Sequence, residues 1–257
     1  MAIPQAGKSA LVLSAGGMFG AYQAGVWKAL AQRLRPEIVV GASAGALNAW
    51  AIAGGAPPAD LVDYWLAPEC ASLASFRFLQ APWRGVFDAR PLHARIRRLW
   101  EAYRPQLEIG VVATEIPRLR PRLFGGPEIG WRHLAASTAV LACYPQIRIE
   151  GRIYSDGGLL EALPLWAAAQ MGATRIVAVN VLARAPSRVA GFAVRGFRAL
   201  APAPPAAPAD IEVIAISPSR PLGRLRDAVF WRRETVQRCL EMGEQDAAQV
   251  ALWPLGG

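Results

Sequence analysis

Glu37–Gly45, read in one-letter code as EIVVGASAG, decides the fold. Glu37–Val40 is a short apolar run of the kind a parallel strand needs when both of its faces are buried. Gly41–Gly45 is a G-x-S-x-G turn, and helix-forming residues follow from Ala46 to about Ala53. In this order Ser43 sits on a sharp strand-to-helix elbow that projects its hydroxyl from the sheet edge, with Gly41 and Gly45 relieving the clashes. The helix behind it aims its N-terminus at the same spot and favours negative charge developing there. A G-x-S-x-G sequence alone arises often by chance as a tight turn. Between a buried strand and a helix it marks a nucleophile.

The same pattern stands immediately upstream. Ser9–Leu13 (SALVL) is strand-like, Ser14–Gly20 (SAGGMFG) is glycine-rich, and Ala21–Leu34 has helical periodicity. Two strand–loop–helix units predict an α/β protein, a three-layer α/β/α arrangement around a mostly parallel central sheet. A glycine-rich loop opening a helix presents backbone N–H groups to an anion. A dinucleotide site needs G-x-G-x-x-G and an acid ending the second strand. Here Ala15 takes the first glycine position, Glu37 begins the second strand, and that strand ends in Ser43. The loop therefore reads as an oxyanion hole.

Downstream, helices are expected at Ala59–Leu66, Pro91–Tyr103, Arg132–Ala142 and Leu163–Met171, with a long terminal helix over Arg224–Ala251. Strands are expected at Leu107–Thr114, Arg175–Val181 and Ile211–Ile216. Pro121–Phe124 is expected to pair with Glu128–Trp131 around Gly125–Gly126. The aromatic Phe76–Phe87 region, including Trp83, reads as core packing or as an acyl entrance. Ala201–Ala209 (APAPPAAPA) is a surface insertion, and residues 1–257 read as a single domain.

The 257 residues are 53% hydrophobic and 18% charged, enough to bury one large core. The net charge of +9 is carried almost wholly by arginine, with Lys only at positions 8 and 28. Arg95, Arg97 and Arg98, and Arg224, Arg226, Arg232 and Arg233, read first as solvated helix faces and second as a membrane-facing patch. No nucleic-acid motif accompanies them, so nucleic acid is not expected as a partner. Three cysteines without paired spacing argue against a disulfide framework and fit a reducing, cytoplasmic compartment. The apolar runs 8–24 and 38–55 imitate a signal peptide and a membrane span, but Gly, Ser, Asn and Gln interrupt them, and a soluble chain is expected. His93 and His133 have no metal-ligand spacing, and neither a metal nor a cofactor is expected.

A nucleophilic serine needs a base. The Ser…Asp…His order requires a late histidine, yet none follows His133, which reads as a surface or capping residue. Asp156, after the apolar approach GRIYS and before Gly157 and Gly158, offers a carboxylate that backbone can approach closely. An Asp-Gly-Gly sequence by itself reads first as a plain turn.

In combination, the loop SAGGMFGAYQAG (14–25), the elbow GASAG (41–45) and DGG (156–158) resemble the patatin-like phospholipase family. DARPL (88–92), LEIGVVAT (107–114), Ala136–Pro145, DGGLLEALP (156–164), RIVAVNV (175–181) and GEQDA (243–247) extend the similarity over nearly the full chain. The resemblance implies a Ser–Asp dyad acting on a lipid or other ester without a cofactor. Ser43 would attack the carbonyl, Asp156 would relay the proton, and the N–H groups of Gly16, Gly17 and Met18 would hold the oxyanion, with Gly20 closing the loop. Peripheral contact with an anionic membrane is expected; a lipid-binding module of low activity and a generic carboxylesterase are the competing readings. Three residues depart from the family pattern. Ala15 replaces a glycine, where positive φ is expected; Phe19 replaces a basic residue, leaving weaker anion binding or an acyl anchor; Ala162 replaces an asparagine.

Overall fold

The computed structural model describes residues 7–76, 85–183, 208 and 210–253. Strand β1 (Lys8–Leu13) leads through a 3-10 turn at Gly17–Phe19 into α1 (Gly20–Leu30). Strand β2 (Ile38–Ala42) leads through Ser43 into α2 (Ala44–Ala53). Helices α3 (Pro58–Leu66) and α4 (Ala89–Ala102) precede β3 (Glu108–Ile116), β4 (Arg120–Gly125) and α5 (Trp131–Ser137). The rest comprises β5 (Ile147–Ile149), β6 (Arg152–Ser155), α6 (Leu165–Gln170), β7 (Ala173–Val179), β8 (Glu212–Ile216), α7 (Leu225–Val229) and α8 (Arg233–Ala248).

The sheet is mixed, in the order β5-β6-β3-β2-β1-β7-β8, with β4 also paired to β3. The run β3-β2-β1-β7-β8 is parallel throughout, and β4, β5 and β6 join it antiparallel. Alternation along the central strands fills two cores. Leu11, Leu13, Val39, Val111, Val177 and Val179 face the layer holding α1 to α5 and α8. Ala10, Val12, Ile38, Val40, Ile176 and Ala178 face α6. Helices α1 and α8 pack at backbone distance: a Cβ on Gly25 would stand 2.0 Å from Leu240 O, and one on Gly243 would stand 2.1 Å from Tyr22 O. The apolar runs that imitate targeting segments are β1–α1 and β2–α2, and no helix among the described residues is long and apolar enough to cross a membrane.

Three expectations are corrected. Residues 121–124 do not form a hairpin with 128–131; β4 folds back on β3 through residues 117–119, with Val111 opposite Phe124 and Thr114 opposite Pro121. The sheet edge of β3 satisfies more backbone groups than an isolated ribbon would. The terminal helix is two helices, broken at 230–232. Asp227 accepts from Arg224 N (2.8 Å) and from Arg232 Nη2 (2.6 Å), while Trp231 turns inward to donate to Trp65 O (2.9 Å). Helix α5 ends at Ser137, well before Ala142, because the next residues bond to the site described below. The Ala201–Ala209 loop lies outside the described residues apart from Pro208.

Candidate active site

Strand β3 has one edge occupied by β4 along Gly110–Glu115. Its other edge is shared. β2 pairs with Glu108–Val112, and β6 pairs with Thr114–Ile116 running the opposite way. The two strands therefore meet with their C-terminal ends facing each other. The residue after β2 is Ser43 and the residue after β6 is Asp156, so a single edge brings together side chains 113 positions apart in the chain.

At the first end Ser43 adopts φ 54, ψ −126, a left-handed conformation that costs an L-residue roughly 1–3 kcal/mol. The surroundings enforce it. Ser43 N donates to Ser137 Oγ (2.8 Å), Ser137 Oγ donates to Val112 O (2.6 Å), and Ser43 O accepts from Ala46 N (2.9 Å). The flanking glycines have no room for a side chain: a Cβ on Gly41 would stand 2.2 Å from Gly45 O, and one on Gly45 would stand 2.4 Å from Leu13 O.

At the second end Asp156 is anchored by its backbone, N to Ala139 O (3.0 Å) and O from Thr114 Oγ1 (2.9 Å). Gly157 lies too close to Val112 O, 2.1 Å from a notional Cβ, to carry a side chain. Asp156 Oδ1 accepts from Gly158 N at 2.7 Å. Burial lifts the carboxyl to a pKa of about 6, with the Ser43 hydroxyl and the Gly158 N–H pulling it back down. Oδ2 has no partner that meets full hydrogen-bond geometry. The serine hydroxyl stands next to the carboxylate, outside full hydrogen-bond geometry.

The third component is the glycine-rich loop. Ser14 N bonds to Val179 O (3.1 Å), Ser14 Oγ accepts from Val181 N (3.0 Å), and Ala15 N donates to Ala162 O (2.8 Å). Gly16 is extended (φ 173), and the positive φ falls on Gly17 (φ 57). Ala15 is outside the left-handed region, which corrects the expectation placed on it. Phe19 is buried in the core, 2% exposed, and does not line the cavity that holds Ser43, so it is not an acyl anchor there. Among the described residues no acceptor takes the N–H of Gly16, Gly17 or Met18. Gly17, Met18 and Ser43 open on one cavity of about 700 Å³, including its mouth, whose remaining walls come from α2, α3, α4, α7, residues 138–144, Cys70, Leu73 and Phe87.

Several residues that build the site were not singled out from sequence. Ser137 sets the elbow, and a buried polar chain sets the loop. Gln23 Nε2 donates to Ser14 O (2.7 Å), Asn48 Nδ2 donates to Gln23 Oε1 and Gly20 O (both 2.9 Å), and Trp65 Nε1 donates to Asn48 Oδ1 (2.8 Å). Both ends of the loop are fixed by this chain, and the available signal was polar residues inside otherwise apolar helices. His133 caps α5, its Nδ1 accepting from Gly130 N at 3.0 Å, as expected of a capping residue. Arg95 is not on a solvated face; it is 8% exposed and lines the cavity.

Comparison with known proteins adds three findings. The model of a family described as patatin-like phospholipase matches residues 11–169. The crystal structure of VipD from Legionella pneumophila shares the fold at a TM-score of 0.55 with 14% identity, covering 95% of this chain and 66% of that one. The type III effector protein ExoU gives a TM-score of 0.45 with 15% identity, covering 95% of this chain and 52% of that one. The chain thus spans less than two thirds of the length of either structure. No curated protein matches it in sequence.

Proposed function

The chain belongs to the patatin-like phospholipase family, and from that premise we propose that it is a serine lipid acyl-hydrolase of the phospholipase A or lysophospholipase type. The observation that carries the reading is the strained Ser43 set against a buried Asp156 whose pKa is about 6. A base with that pKa is ionised at neutral pH yet basic enough to accept a proton.

In this reading Ser43 Oγ attacks the ester carbonyl as Asp156 takes its proton. The tetrahedral oxyanion is held by the N–H groups of Gly16, Gly17 and Met18 and by the N-terminus of α2. Asp156 then protonates the leaving alcohol. Water, deprotonated by the same carboxylate, cleaves the acyl-enzyme and restores Ser43. The apolar cavity walls supply room for an acyl chain.

The mouth of the cavity supports contact with a lipid surface. Exposed Val140 lines the cavity, Phe76 (72% exposed) and exposed Phe230 pack on the lining residue Phe87, and exposed Val86, Leu141 and Leu225 lie next in the chain to, or within one turn of, lining residues. Phe76 packs on Phe87 and Phe230, with ring centroids 5.2 and 6.3 Å apart. Exposed Arg224, Arg226 and Arg232 flank Leu225 and Phe230, a composition suited to an anionic membrane. A cytoplasmic protein with peripheral membrane contact fits this surface and the three free thiols. The test is fatty-acid release from mixed phospholipid and lysophospholipid vesicles. Wild type is expected to release acid and Ser43→Ala none; equal release by both would remove Ser43 from the reaction.

A further inference from the structure

Helix α4 turns an apolar stripe of Leu92, Ile96 and Leu99 into the protein, and Arg95 lies within that stripe. Its Nη2 donates to Tyr64 O at 2.6 Å, and its guanidinium carbon is 4.2 Å from the Tyr64 ring centroid. Its Nε has no hydrogen-bond partner. Among the described residues no carboxylate pairs with it. It is also the one charged residue, among those described, lining the cavity that holds Ser43.

A buried cation without a counter-ion is unfavourable. A carbonyl dipole and an aromatic face offset part of that cost but leave the charge uncompensated. An entirely apolar chain filling the cavity would exclude water from the guanidinium and raise the cost. A compact oxyanion would lower it, accepting from the Nε–H and the remaining guanidinium N–H groups.

We propose that the cavity selects esters whose enclosed portion carries a carboxylate or phosphate, recognised by Arg95. The proposal rests on the acyl-hydrolase reading of the cavity. The anion has two sources: a carboxylate on the acyl chain, or the phosphate of a lipid headgroup.

Calorimetric titration of the Ser43→Ala protein with octanoate, octyl phosphate and octanol tests this without any turnover. At least one anion is expected to bind tenfold or more tighter than octanol. Octanoate in that role assigns the acyl-chain source, and octyl phosphate the headgroup source. Adding Arg95→Met should shrink the preference to less than about twofold; if that variant does not fold, Arg95→Gln reads the same quantity with a polar group kept near Tyr64 O. Octanol binding as tightly as both anions, neither anion binding, or a preference that survives the substitution overturns the proposal. Failure of the hydrolase reading is a separate result, namely wild-type protein releasing no acid from any ester.

Discussion

At the end of β2 the backbone is out of place: Ser43 sits at φ 54, ψ −126, held by Ser137 and by two glycines with no room for a Cβ. At the end of β6 the backbone is outside the left-handed region, and the side chain is what is out of place. Asp156 is 7% exposed, and its carboxyl titrates near 6. One turn stores conformational strain, which pH does not change and a glycine relieves. The other stores electrostatic strain, which acid or a neutral isostere relieves. The two meet on one edge of β3 and share Ser137, whose hydroxyl accepts from Ser43 N and whose carbonyl accepts from Gly157 N.

The largest expected effect is on turnover. Ser43→Ala and Asp156→Asn should each lower ester hydrolysis by about three orders of magnitude or more, without additivity in the double variant, because the pair acts as a unit. Initial rates on a soluble p-nitrophenyl ester check this. Next comes Gly45→Ala, which places a Cβ 2.4 Å from Leu13 O and 2.6 Å from Ser14 O. Since both neighbours are backbone, a loss of about 3 kcal/mol or more is expected in urea denaturation.

Asp156→Asn should at the same time stabilise the fold. The folded carboxyl binds its proton more tightly than the unfolded one, so wild-type stability falls as pH rises from about 4 to about 6. At pH 7 the penalty is complete and amounts to about 2–3 kcal/mol. The variant should gain up to that amount at pH 7 and nothing at pH 4; an equal gain at both would mean the strain is not electrostatic. For the elbow, Ser43→Gly should exceed Ser43→Ala in stability by about 1 kcal/mol at any pH. The smallest effect is at His133: replacement by alanine should cost about 1 kcal/mol or less and leave hydrolysis as it was.

What could be read in the sequence was local. SALVL–SAGGMFG and EIVV–GASAG each encode strand, turn and helix within a few residues, so two strands, two helices and the strained turn at Ser43 were legible there. The proposed partner, Asp156, was legible only through the resemblance of the three ordered motifs to the family, because Asp-Gly-Gly alone reads first as a plain turn. The juxtaposition itself was not, since it depends on β2 and β6 sharing one edge of β3, a non-local pairing with no local signature. Gly125–Gly126 suggested a hairpin, but the open edge of β3 offered residues 120–125 a longer ladder. Arg95 was misread from charge clustering, although its spacing from Leu92, Ile96 and Leu99 already placed it on the buried stripe. Gln23 and Asn48 gave only the weak signal of polar residues in apolar helices. The break after α7 depends on Asp227, whose two arginine neighbours looked like an ordinary solvated face.

The central claim, that Asp156 activates Ser43, is tested most directly by the rate at which a fluorophosphonate labels Ser43 as a function of pH. Wild type should label with a rate that rises through an apparent pKa near 6 and then levels, because the ionised carboxylate takes the serine proton. Asp156→Asn should label slowly with no step in that range. The same rate and the same step in Asp156→Asn would contradict the account.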